Sequence, residues 1–147
     1  FDSGKPQNSM SLATLVDIMP TLMELAQVPT PPTGLAGNSL LPIITEGKAV
    51  QDSILFTFDD TKAGSNSNWS AVNAANRIRC IRTEKWKYDY YFDAMGSYAN
   101  QYELYDLEAD PSEVNNLAYD PKYKKIRQEL EQELKELERS KLLVRAQ

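Results

Sequence analysis

Four short segments with strand character followed by one long amphipathic helix predict an α+β fold: a small antiparallel four-stranded sheet packed with a long C-terminal helix. Three observations carry this prediction. Charged and apolar residues alternate through 77–83, aromatics recur at a two-residue period through 86–92, and Tyr123, Ile126, Leu130, Leu134 and Leu137 recur at steps of three and four. Residues 1–50 precede this unit and hold too little apolar material to close a core of their own, so they are expected to pack on something larger. The sheet-and-helix unit is assigned to 51–147.

From the N-terminus, Ser11 to Val16 reads as a short extended run. Asp17 stands where a helix N-cap belongs, its carboxylate able to accept from the orphan amides of a first turn. A helix over about 17–27 follows. Pro20 falls in its first turn, where the missing N–H costs nothing, and Ile18, Leu22, Met23, Leu25 and Ala26 form an apolar face. The Pro-rich loop from Pro29 to Gly34 cannot continue a helix, and Asn38 to Ile44 predicts a short buried helix ending before Gly47.

Ser53 to Phe58 is the first strand. A polar loop from Asp59 to Asn76 follows, and connections longer than about 12–15 residues without regular structure are usually functional or mobile, which makes it the best local candidate for contact with a substrate or another domain. Arg77–Thr83 and Lys85–Phe92 predict a hairpin turning near Glu84 and Lys85, with Trp86, Tyr88, Tyr90 and Phe92 on one face. Tyr102–Leu107 supplies a further strand, with Leu104 and Tyr105 facing opposite ways. Asp110-Pro111 makes a turn, with a helical turn expected through Glu113. Asp120 caps the last helix, with Pro121 at its first position.

Composition narrows the function. With 147 residues, 41% hydrophobic, 25% charged and a net charge of −5, the chain has a soluble balance and lacks the clustered basic surface that a nucleic-acid partner requires. Its longest apolar runs are only a few residues, so no membrane span is expected. The start Phe1-Asp2-Ser3-Gly4 is neither a Met start nor a signal peptide and reads as an internal cut. One cysteine excludes an internal disulfide framework. Asn68-Trp69-Ser70 fits a glycosylation triplet, of a kind common by chance.

Four blocks, in order, resemble the sulfatases of the alkaline-phosphatase superfamily. They are Leu15-Val16-Asp17-Ile18-Met19-Pro20-Thr21-Leu22; Gly37-Asn38-Ser39-Leu40-Leu41-Pro42; the hairpin Arg79 to Tyr88; and Glu103-Leu104-Tyr105-Asp106-Leu107 running through Asp110-Pro111-Ser112-Glu113 to Asn115-Asn116-Leu117-Ala118. The resemblance implies that residues 1–50 are the tail of a larger α/β catalytic domain and that 51–147 are the C-terminal subdomain of an arylsulfatase-like enzyme. It also implies a Cys/Ser-x-Pro-x-Arg motif matured to formylglycine, a divalent cation, calcium in most members, and Lys, His and Arg side chains around the sulfate. None of these can be matched here: the chain has no histidine, and Cys80 is followed by Ile81-Arg82-Thr83. The segment is therefore expected to hold no catalytic residue, cofactor or metal, to frame the substrate cleft, and to be inactive alone.

The implied partners are the missing N-terminal catalytic domain and a sulfated small molecule or glycan, in an extracytoplasmic setting (periplasmic, secreted or lysosomal). Asp59-Asp60 superficially resembles the family's paired metal-binding acids, but it lies too late in the chain and lacks the other ligands. A substrate-rim role falls instead to Asp59, Asp60, Lys62, Asn66 and Asn68. Arg77, Arg79 and Arg82 are candidates for binding an anionic group, against the commoner fate of pairing with acids or facing solvent. Two alternatives stand: a phosphonate or phosphate ester hydrolase on the same scaffold, and a free-standing interaction module using the hairpin aromatics or the last helix.

Overall fold

A computed structural model describes residues 8–29, 35–59, 75, 77–93 and 96–141. The chain divides into two units, Phe1–Ile54 and Leu55–Gln147.

In the first unit, Leu15–Asp17 forms a 3-10 turn, so the extended run expected over Ser11–Val16 stops at Thr14. Thr14 is the cap: its Oγ1 accepts from the Val16 amide at 3.2 Å, and its own amide donates to Asp17 Oδ2 at 2.7 Å, a reciprocal capping box. Helix α1, Ile18–Leu25, continues from this turn. Asp17, expected to cap it through its side chain, makes no such bond, because its carboxylate turns inward. Helix α2, Leu41–Glu46, closes at Gly47, whose φ of 68° suits a residue without Cβ. It begins three residues later than expected and contains no buried residue. The amides of Asn38 and Leu40 are engaged by Asp17 Oδ1 and Thr21 Oγ1 instead of opening the helix.

In the second unit, strands β1 (Ser53–Asp59), β2 (Arg77–Thr83), β3 (Trp86–Phe92) and β4 (Gln101–Asp106) form the four-stranded antiparallel sheet in chain order. The β2–β3 hairpin turns at Glu84 and Lys85, clipped where the Trp86 amide donates to Thr83 Oγ1 at 2.8 Å. Asp120 Oδ1 accepts from the Lys122 amide and starts a 3-10 turn over Pro121–Tyr123, which runs into α3, Lys124–Lys141.

The apolar face of α3 meets one face of the sheet. Ile81, Tyr88 and Leu104, all fully buried, join Ala118, Leu130 and Leu134, with Leu55, Trp86, Tyr90, Tyr102, Tyr123, Ile126 and Leu137 packed around them. Burying one such leucine is worth about 1.5–3 kcal/mol, so this core holds the unit together. The hairpin aromatics continue across strands: Phe92 stacks on Tyr90 with centroids 5.0 Å apart, and Tyr90 on Tyr102 at 5.6 Å. Side chains alternate between faces along a strand, so Cys80, Lys87, Asp89, Tyr91, Glu103 and Tyr105 lie on the face away from α3. The α+β class read from the sequence is the one observed.

Candidate functional site

Two polar centres organise the molecule, one in each unit. In the first, Asp17 is fully buried and accepts three hydrogen bonds: from the Thr14 amide at 2.7 Å, the Asn38 amide at 2.8 Å and Gln51 Nε2 at 2.9 Å. Thr21 extends the network, its hydroxyl donating to the Asp17 carbonyl at 2.6 Å and accepting from the Leu40 amide at 2.9 Å. Gly37 is required here, because a Cβ on it would sit 2.1 Å from the Val16 carbonyl oxygen. The first two sequence blocks are thus halves of one hydrogen-bonded joint.

In the second unit, Arg79 is the centre. Nη1 and Nη2 donate to the two oxygens of Asp59 at 2.7 and 3.1 Å, Nε donates to Glu138 of α3 at 2.6 Å, and the guanidinium lies 5.2 Å from the centroid of the Phe92 ring. The bond from Arg79, with the positive charge of that side chain and Arg77 adding to it, outweighs burial and holds the Asp59 carboxyl below its ordinary range. Of the rim candidates, Asp59 is therefore committed to a clamp joining β1, β2 and α3. Asp60, Lys62, Asn66 and Asn68 lie outside the described residues. Of the anion-binding candidates, Arg79 is occupied, Arg82 is exposed on the other face, and Arg77 is half-buried with Nε making no hydrogen bond.

The Tyr102–Ala118 block is also structural, residue by residue. Asp106 Oδ1 accepts from the amides of Glu108 and Ala109, and Asp110 Oδ2 from that of Asn115. Asn116 accepts from the Leu104 and Ala118 amides and donates to the Tyr102 carbonyl, stitching the loop to β4. The helical turn expected through Glu113 is an ordinary turn, ended by Glu113 at φ 55°. Cys80 is buried in β2; burial first, and then the neighbouring Asp89, push its thiol far above its ordinary value, the reverse of what a nucleophile needs.

Among the described residues no group of three or more His, Cys, Asp or Glu side chains could hold a metal ion. A hard cation demands six to eight oxygens or several waters, and the one acid of the Asp-Asp pair that is described is engaged by Arg79. These residues do not fit the family's cation. No helix of the described residues is long and apolar enough to cross a membrane.

A family model, N-sulphoglucosamine sulphohydrolase, C-terminal, matches residues 3–140. The chain belongs to this sulfatase family. It is 33% identical over 121 residues to Arylsulfatase K of Gallus gallus, covering 78% of this chain and 20% of that protein. It is likewise 33% identical over 122 residues to Delta 4,5-hexuronate-2-O-sulfatase of Bacteroides thetaiotaomicron, covering 83% and 23%. Among solved structures it is similar to BT4656 in complex with its substrate D-glucosamine-2-N,6-O-disulfate, with a TM-score of 0.69 and 26% identity over 88% of this chain and 24% of that one. The phosphonate monoester hydrolase of Agrobacterium radiobacter is similar too, with a TM-score of 0.62 and 28% identity over 82% and 24%. The chain therefore spans about a quarter or less of the length of the sulfatases and hydrolases it matches.

Proposed function

We propose that the chain is the C-terminal part of a sulfatase that hydrolyses sulfate esters of a glycan, and that its own role is to complete the catalytic domain and frame the cleft. The family match over residues 3–140 is the observation that carries this reading. Residues 1–50 then belong to the tail of the large α/β domain and 51–147 to the subdomain. The surface of α1 supports that division: Ile18, Met19, Leu22 and Leu25 are each between 44% and 57% exposed, too much apolar surface on one short helix to be left in water. A glycan substrate is supported by the hexuronate and glucosamine sulfates named for two of the relatives.

Formylglycine and the cation belong, in this reading, to the rest of the enzyme, as does its extracytoplasmic setting. Asp60, Lys62, Asn66 and Asn68 are assigned to the substrate rim, Asp59 having been taken by the clamp. The test is sulfate release from a sulfated disaccharide by the complete protein and by the 147-residue chain. The complete protein should turn over and the chain should not. Turnover by the chain alone sinks the structural role. Hydrolysis of a phosphonate monoester in preference to any sulfate ester would favour the second reading, which the similarity to the Agrobacterium enzyme supports.

A further inference from the structure

The sheet face away from α3 holds a group that neither centre uses. Asp89, in the middle of β3, is 4% exposed, and its Oδ2 has no hydrogen-bond partner. Its cross-strand neighbours are Cys80 on β2 and Glu103 on β4. Cys80 stands directly across from Asp89 in the sheet, and Lys87 Nζ stands 3.7 Å from Oδ2. Lys87, however, is already committed at 2.5 Å to Glu113 of the loop after β4. Tyr91, two residues along β3, sends its hydroxyl to Glu103 at 3.1 Å and not to Asp89. Tyr105 beside them also faces Glu103, and the only other cation on this face of β2, Arg82, is solvent-exposed. Asp89 and Glu113 therefore share one ammonium, with Glu103 as the cross-strand neighbour of Asp89.

We propose that Asp89 is a proton-binding site: its buried carboxyl holds a proton to higher pH than an exposed aspartate does, and loss of that proton loosens the sheet by placing a poorly matched charge beside Cys80 and Glu103. Filling the vacant lone pair on Oδ2 with a proton leaves Lys87 wholly to Glu113, the contact that fastens the Asp110–Asn115 loop to β3. The direction of the Asp89 shift agrees. Burial raises it, Cys80 and Lys87 oppose that, and Glu103 and Glu113 raise it further. A carboxyl whose folded value lies above its unfolded one binds more protons when folded, so its contribution is full in acid and is lost as pH rises from about 4 through the folded value.

The experiment is urea unfolding of the 147-residue chain and of Asp89→Asn between pH 5 and pH 8 at fixed ionic strength, with carbon-13 NMR titration of the aspartate carboxyls. Asn keeps the shape and removes the titration. Asp89→Asn should be more stable than the parent at pH 8, and most of the parent's gain in midpoint on acidification should vanish. In the parent the Asp89 carboxyl should titrate above the ordinary carboxylate range, and Glu103→Gln should lower that midpoint. An Asp89→Asn variant with the parent's pH dependence overturns the proposal. So does an Asp89 resonance that titrates at or below about 4, the ordinary aspartate value, and this second reading needs no variant to fold.

Discussion

Replacing Arg79 separates a structural clamp from an anion-binding site. The Arg79 side chain is 11% exposed, whereas those of its partners Asp59 and Glu138 are 43% and 31% exposed, so Arg79→Ala frees two carboxylates that largely rehydrate. Each pair is therefore discounted to about 0.5–1 kcal/mol. The ring contact with Phe92 adds about 0.5–1 kcal/mol, and the buried aliphatic stem about 1 kcal/mol. The expected loss is about 2.5–4 kcal/mol. At a urea dependence of about 1–1.5 kcal/mol per molar for a unit of this size, the midpoint should fall by roughly 2–3 M. Arg79→Lys keeps the charge but offers one ammonium where a planar fork serves two acids, so it should recover about half the loss or less.

The assay is fluorescence of Trp86, packed against the core, in a Trp69→Phe background. The difference between parent and Arg79→Ala should stay constant from pH 5 to 8. The Asp59 carboxyl is held below its unfolded value, so its contribution is present above about pH 4 and the difference narrows as pH falls further. A loss under about 0.5 kcal/mol, or Lys performing as well as Arg, would refute the clamp. Stabilisation of the parent, but not of the variant, by a sulfated disaccharide would return Arg79 to the anion-binding role.

Three further outcomes are expected. Leu134→Ala, at a position 2% exposed in the core, should cost about 2–4 kcal/mol in the same unfolding assay, and a loss below about 1 kcal/mol would remove α3 from the core. Asp17→Ala strands the Thr14 and Asn38 amides and one N–H of Gln51 Nε2, whose other bond runs to the Leu12 carbonyl, at about 1–3 kcal/mol for each donor that water cannot reach. Hydrogen exchange at the Asn38 amide should accelerate while protection in β3 is unchanged; an unaltered Asn38 amide would refute the joint. Cys80, with its thiol pushed upward by burial, should react with a thiol reagent at pH 8 only as fast as the sheet opens, so the rate should rise with urea. A fast reaction in native buffer would show the strand to be exposed.

The elements that could be read in the sequence are those whose physics is local. Asp120-Pro121 and the 123–137 periodicity are helix-terminus and helix-face signals, and both appear as expected at the start and on the buried face of α3. The aromatics at two-residue spacing likewise sit on the core face of β3. Asp17 has the residue type and position of a helix cap, yet its side chain makes no cap bond to α1. The partners that turn it inward, Asn38 and Gln51, are 21 and 34 residues away. Arg79 draws its partners from 20 and 59 residues away, and the strain on Asp89 exists only once β2, β3 and β4 are side by side. Long-range pairing of this kind leaves no periodic trace. Thr14 could have been found, since Thr-x-x-Asp resembles the capping-box pattern with a shorter acid at its last position.

The central claim, that a catalytic sulfatase domain is completed by this chain, is tested most directly by sequencing the coding DNA upstream of Phe1. A strand-terminal Asp-Asp pair followed by a Cys/Ser-x-Pro-x-Arg motif is the predicted result. A start codon shortly upstream with neither motif would contradict it and leave a free-standing interaction module in its place.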